Sequence, residues 1–406
     1  MYMRKINTRS FRLATRSTVH EVNRQIVLNL VRENAPISRA ELARRMGVHR
    51  SALTGIVREL VDTGIVYERG TAATARGRRP TLLDLRTHER LAAAADVRPE
   101  RTTLAIADFG GRVVARDAFD TPRSPEALAE VLSERLNRLL LTWADGPASC
   151  EGVGVVVPGM VDRRAGRILY SPRLGWRDVE LRETMRDRLP APVYVESAPI
   201  ACALARLWLS PEQTRDVKSF AYVSVSDGVG VGIVVNGETL RGDAHTAGEF
   251  GHVSLDPNGP ECACGNKGCW EAFTCNSTTL ARYAEKLGKR PGSKPIPGLT
   301  VEEVARRALR GESAAVAAVE ETGWYIGKGL VTLVSALNPG RIYVGGEVTA
   351  AWEILERPIR QALAEGSLTP ATRATPVVPD GNPAEYRVLG AVALVAAPTF
   401  AAPRIG

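Results

Sequence analysis

One histidine and three cysteines, His252 and Cys262-Ala-Cys264-Gly-Asn-Lys-Gly-Cys269, constrain this 406-residue chain more than any other feature. Three thiols within eight residues, with a glycine at each turn, let the backbone bend tightly enough for four side chains to converge on one ion. One His with three Cys is a tetrahedral zinc set, and four protein ligands leave no open position, so the expected zinc is structural rather than hydrolytic. Cys150, Cys202 and Cys275 lie in apolar or helical contexts and read as core residues. Six cysteines in so long a chain are too few for a disulfide scaffold, which fits a reducing compartment. The best apolar run, Val388 to Ala402, is short and broken by Pro398, so it reads as a buried C-terminal helix. No secretory core follows the basic start. The expectation is a cytoplasmic protein with no membrane segment.

Charge is divided unevenly. Residues 1–90 hold 18 Lys+Arg against 8 Asp+Glu, a net of +10, which leaves the other 316 residues at −2. Arginine outnumbers lysine throughout, 46 to 7, but a general bias would not confine the excess to one end. A basic module on a nearly neutral body points to a polyanion partner for that module alone. From His20 to Asn34, Val22, Ile26, Val27, Leu30 and Val31 follow a helical period that Pro36 ends. Ser38-Arg-Ala-Glu41 opens a short second helix by a capping box and Gly47 closes it. A third helix from Arg50 to Thr63 turns Leu53, Ile56, Val57 and Leu60 inward and leaves Arg50, Ser51, Thr54 and Arg58 on the opposite face. That is the helix-turn-helix pattern, whose second helix lies in the major groove of double-stranded DNA.

Two strands, Ile65 to Glu68 and Thr81 to Leu85, then flank a loop containing Arg78 and Arg79, which makes residues 20–86 a winged helix. Arginines in such a wing reach phosphates or the minor groove. Residues 1–19, basic and aperiodic, read as a mobile arm. One recognition helix reads only a few base pairs, so a homodimer or homotetramer on an inverted-repeat operator is expected.

After a linker at Thr87 to Arg90 the pattern changes. Short apolar strands (Leu91 to Val97, Thr103 to Asp108, Gly152 to Val157, Val193 to Val195, Phe220 to Val225, Gly230 to Val235, Ile342 to Val344) alternate with helices such as Ser124 to Leu141 and Ser313 to Leu337. Residues 91–406 are therefore expected to form an α/β body of two lobes.

Several of its segments carry a resemblance. Thr246-Ala-Gly-Glu249-Phe-Gly-His252, the cysteine cluster after it and Trp270-Glu271 resemble the sugar-site and zinc motifs of the ROK family of repressors and kinases. GVGVVVPGMVD (152–162), SPRLGWRDVEL (171–181), DGVGVGIVVNG (227–237) and LNPGRIYVGGEV (337–348) are similar to family segments in family order, and the winged helix ending in GRRP resembles the repressor branch. The resemblance implies a two-lobed, actin-like (ribonuclease H-like) sugar-kinase fold behind the winged helix-turn-helix domain. It further implies that Glu249 and Glu271 accept hydrogen bonds from the hydroxyls of a small sugar, and that His252 serves both zinc and sugar.

Departures from the kinase pattern decide the function. Family kinases carry Asn-Asp where this chain has Ser197-Ala198, and that Asp is the general base; alanine cannot take a proton. The first phosphate loop reads Asp96-Val-Arg98-Pro99-Glu100 in place of Asp-x-Gly-Gly-Thr, and the second reads Ser226-Asp227-Gly228 in place of Gly-Thr-Gly. Charged side chains stand where close backbone approach to phosphate is required. The expectation is a sugar-responsive transcriptional regulator, a repressor, that does not phosphorylate. Its alternatives are a regulator with a non-sugar ligand or none, and an active kinase with a DNA-binding appendage.

Overall fold

The computed structural model describes residues 15–71, 80–143, 150–189, 191–214, 216–290, 296–381 and 383–401. The chain divides into two compact units, one of residues 1–91, 108–112 and 396–406, the other of residues 92–107 and 113–395.

In the first unit α1 (Arg16–Asn34) starts at a capping box in which Thr15 and Thr18 exchange backbone and side-chain hydrogen bonds. The expected arm is thus shorter than residues 1–19: Arg16 to Val19 are helical, because that cap satisfies free N–H groups of the first turn. Residues 1–14 lie outside the described residues. The buried face of α1 also differs from the expected stripe. Val27, Leu28 and Val31 are buried, while Ile26 is 43% exposed.

The strand β1 (Ile37–Ser38) leads into α2 (Arg39–Met46), where Ser38 Oγ accepts from the Glu41 N–H at 3.2 Å. Only half of the expected capping box forms, since the Glu41 carboxylate turns to Arg44 and Arg45. Gly47 closes the helix at φ +65°. In α3 (Arg50–Asp62) Leu53, Ile56, Val57 and Leu60 are buried, as their spacing predicts. The strands β2 (Val66–Thr71) and β3 (Thr81–Leu85) form the wing, and β1 adds to β3 to make a three-stranded sheet. Sequence reasoning did not find β1, whose two residues are too short to show a period.

The second unit holds two five-stranded mixed sheets. The first contains β4 (Leu91–Val97), β5 (Arg101–Asp108), β6 (Val113–Asp120), β7 (Cys150–Val157), after the helix α4 (Pro125–Trp143), and β11 (Val193–Ser197), in the order β11-β7-β4-β5-β6. Between β7 and β11 lie a small antiparallel sheet of β8 (Met160–Asp162), β9 (Arg167–Ser171) and β10 (Trp176–Val179), and then α5 (Leu181–Arg186). Next come α6 (Ala198–Leu209), α7 (Pro211–Thr214), β12 (Phe220–Val225), β13 (Val229–Val235) and β14 (Glu238–Thr239). The helices α8 (Trp270–Thr274), α9 (Asn276–Lys286), α10 (Val301–Leu309) and α11 (Ser313–Leu337) follow. The chain ends through β15 (Arg341–Gly345), α12 (Trp352–Gly366), α13 (Pro370–Arg373), β16 (Val377–Pro379) and α14 (Pro383–Phe400). The second sheet runs β14-β13-β12-β15-β16, with β12, β15 and β16 parallel and β13 antiparallel to β12.

Fully buried runs such as Ala92–Ala95 and Val155–Val157 are what strands covered on both faces require. The helix α14 is shared between the units: Arg387 belongs to the second, whereas its last residues belong to the first. There Gln25 donates to the Thr399 and Ala401 carbonyls at 3.1 and 2.9 Å, and Asn29 to that of Phe400 at 2.8 Å. Among the described residues no helix is long and apolar enough to cross a membrane.

One close approach sets the position of α8. Trp270, 1% exposed, packs against α11 and donates its indole N–H to the Tyr325 carbonyl at 2.9 Å. A Cβ at Gly329 would stand 1.9 Å from the indole ring. Gly329→Ala is therefore expected to cost about 1–3 kcal/mol of stability by overpacking, read from the midpoint of urea unfolding; an unchanged midpoint would contradict this seating of Trp270.

Candidate functional site

The short 3-10 turn Phe250–His252 and the loop before α8 bring the four expected ligands together. Donor atoms of His252, Cys262, Cys264 and Cys269 all lie within 4.8 Å of one another. The His252 Nδ1 is 3.7 Å from the Cys262 sulfur, and the sulfurs of Cys264 and Cys269 are 3.6 Å apart. The loop closes because Gly265 and Gly268 adopt φ of +92° and +65°, a region that L side chains avoid. A Cβ at Gly268 would also stand 1.6 Å from the Asp256 carbonyl. Around a tetrahedral ion bound at about 2.3 Å to sulfur and 2.0–2.1 Å to nitrogen, ligand atoms are separated by about 3.5–3.8 Å. The observed 3.6 and 3.7 Å separations fit such an ion.

The same turn feeds a pocket. His252 directs Nδ1 toward the cysteines and Nε2 toward Glu249, 4.0 Å away. Glu249, His252 and Glu271 all line a cavity of about 190 Å³ between the two sheets of the second unit. Glu271, in the first turn of α8, is held in place by the Val229 N–H at 2.8 Å. Burial pushes the Glu249 carboxyl above its ordinary range; His252 opposes the shift and Glu271 adds to it. Arg173, from the β9–β10 loop, crosses to the Asp227 carbonyl and approaches Glu271 at 3.9 Å. Two carboxylates, an imidazole and a guanidinium around a small cavity suit a polyhydroxylated ligand, because charged acceptors and donors make the stronger hydrogen bonds to hydroxyls.

Ala198 opens α6 on the wall of this pocket and is 3% exposed. The loops at 96–100 and 226–228, which contribute Arg98 and Ser226 to the same pocket, join a network that sequence reasoning missed. Arg98 donates to Asp96 at 3.1 Å and to Glu347 at 2.7 Å; Arg387 donates to the other Asp96 oxygen at 2.6 Å. Ser226 and Asn276 complete Glu347 at 2.7 and 3.0 Å. Burial would raise the Glu347 carboxyl, but the Ser226 hydroxyl, Arg98 and Asn276 outweigh it and hold it below the usual range. Asp96 and Arg98 stood out in sequence as loop residues; Glu347, 249 positions from Arg98, carried no local signal.

In the first unit Arg50, Ser51, Thr54 and Arg58 are all exposed on the face of α3 opposite its buried stripe. Neither Arg50 nor Arg58 has an ion-pair partner among the described residues, so both guanidiniums are free to meet an anion. Arg78 and Arg79 lie outside the described residues.

An exposed basic helix in a winged unit and a pocketed two-sheet body define a class: a nucleic-acid reader joined to a kinase-like ligand-binding body. Residues 93–397 match the ROK family and residues 25–77 the MarR family. The chain belongs to the ROK family. It is 27% identical over 338 residues to the xylose repressor of Bacillus subtilis, covering 83% of this chain and 85% of the relative. It is 27% identical over 380 residues to the DNA-binding transcriptional dual regulator NagC of Escherichia coli, covering 93% of each. Its fold matches a ROK family transcriptional regulator homologous to the E. coli MLC protein, with a TM-score of 0.79 at 24% identity over 94% of this chain and 97% of that one.

Proposed function

We propose that this chain is a sugar-responsive DNA-binding repressor whose winged helix reads an operator and whose ROK body binds a small sugar without phosphorylating it. The observation that carries the reading is one chain holding both an exposed Arg50/Ser51/Thr54/Arg58 face and a pocket with Ala198 on its wall beside Glu249, His252 and Glu271. Relatives named as a xylose repressor and a DNA-binding regulator support it. Arg50 and Arg58 contact base edges, and the wing, with Arg78 and Arg79, contacts phosphate or the minor groove. Glu249 and Glu271 accept from sugar hydroxyls, while His252 offers Nε2 to the sugar.

His252 and the thiolates of Cys262, Cys264 and Cys269 would hold one zinc ion, a structural staple that would keep Glu249 and Glu271 in a fixed frame. The sugar acts by linkage: it lowers operator affinity by the difference in its own affinity for the two states and no more. The helix α14, continuous from Arg387 to Phe400, offers a covalent path for that coupling.

Two experiments test the reading. Footprinting of the full chain on DNA upstream of its own gene and its neighbours is expected to show two related half-sites, as a symmetric homodimer or homotetramer on an inverted repeat requires. On that operator Arg50→Ala and Arg58→Ala are each expected to cost about 1–3 kcal/mol and to relax sequence preference. A single half-site bound by a monomer, or parental binding by both variants, would overturn it. Calorimetry against pentoses, hexoses and amino sugars is expected to find at least one ligand, whose binding Glu271→Gln weakens. A blank panel favours the regulator with a non-sugar ligand.

A further inference from the structure

Arg98 belongs to two cavities at once. It lines the ligand pocket, and on its other side it lines a second cleft of about 480 Å³ together with Glu347 and Gly346. Its guanidinium spans the space between the two sheets of the second unit. One edge donates to Asp96 near the end of β4, and another reaches Glu347, two residues beyond β15.

Both carboxylates are committed elsewhere as well. Asp96, 2% exposed, also accepts from Arg387, and Glu347 also accepts from Ser226 and Asn276. A charge pair anchored at both ends this way is preorganised, since neither carboxylate needs to be gathered from solvent. A triphosphate crossing from the second cleft toward the ligand pocket would have to displace this guanidinium and leave Glu347 facing its own negative charge.

We propose that Arg98 is a positioning residue for ligand binding: a built-in cation that pins the two halves of the body across the cleft and walls the ligand pocket from the cleft behind it. The pocket is then formed in the absence of any nucleotide. The inference deepens the sugar-sensor reading and rests on it for the identity of the ligand, but the pin itself exists without ligand.

The test uses the full chain and the variants R98A, R98K, E347Q and R98A/E347Q. In ligand-free protein, hydrogen–deuterium exchange of residues 96–100 and 345–349 is expected to quicken about tenfold or more in R98A and in E347Q. The double variant should be no faster than either single one, because each removes the same contact. R98K, which keeps a cation, should stay within about threefold of the parent. Calorimetry with D-xylose, D-glucose and N-acetyl-D-glucosamine should show the same order, with R98A weakened about tenfold or more and R98K near the parent.

Exchange at 345–349 unchanged in R98A, or additive effects in the double variant, would overturn the pin. If R98A fails to fold, E347Q exchanging like the parent overturns it and E347Q exchanging faster supports it. If the parent binds none of the three sugars, the choice of ligand in the functional reading falls while the exchange arm still decides on Arg98.

Discussion

Replacing Cys264 with serine is expected to take bound zinc from one ion per chain to none. Structural Cys/His sets contribute on the order of 10–16 kcal/mol of apparent binding free energy in small domains, so a three-ligand remnant forfeits much of the folding energy of its loop. Here the loop carries more than itself. His252 sits three residues after Glu249, and Cys269 immediately precedes Trp270 and Glu271, so disorder in the cluster frees both carboxylates of the pocket. Metal analysis of the purified full chain, with sugar calorimetry and thermal unfolding, checks the outcome: no metal, no ligand heat and an earlier transition of the body. The winged helix lies in the other compact unit and should keep its helical signal. Parental zinc content and ligand binding in C264S would refute the staple.

Phosphoryl transfer is the second large effect expected, as a loss. Without a positioned base a kinase forfeits roughly 10²- to 10⁴-fold in rate, and Ala198 offers no proton acceptor at the head of α6. Parent protein in a coupled ADP-release assay across pentoses, hexoses and amino sugars should stay far below the ordinary enzyme range of about 1 to 10³ per second. Ala198→Asp returns a carboxylate to the pocket wall but leaves Arg98 joined to Glu347 and Asp227 in the second loop, so transfer still lacks a place for the triphosphate. Ordinary turnover in the parent would remove the non-enzyme reading. Turnover in A198D alone would show that Arg98 and Asp227 do not bar the nucleotide.

Local regularities were legible in the sequence alone. The stripe Leu53, Ile56, Val57 and Leu60 faces inward because a helical period alone decides which residues share a face. Phe220–Val225 and Ser313–Leu337 have the bounds their apolar patterns predict, since turn and cap residues flank them. The cysteine cluster was visible because its ligands lie close in sequence and its glycines announce the turns.

What depends on partners far along the chain was not. The pattern of α1 marked Ile26 as inward, yet Leu28 is buried and Ile26 exposed, because the packing surface is set by the whole unit and not by the helix. The antiparallel strand Val113–Asp120 and the small sheet from Met160 to Val179 show mixed burial, so period-2 alternation is weak there.

The family, the winged helix and the grouping of His252, Cys262, Cys264 and Cys269 were readable from sequence, because each is written in residues close along the chain. It took the fold to bring Arg98 to Glu347, to carry Arg173 across to Asp227 and to divide the two ring nitrogens of His252 between the cysteines and Glu249. Such contacts follow from the arrangement of two sheets, and side-chain charge acts over a few ångströms of space, whatever the distance along the chain.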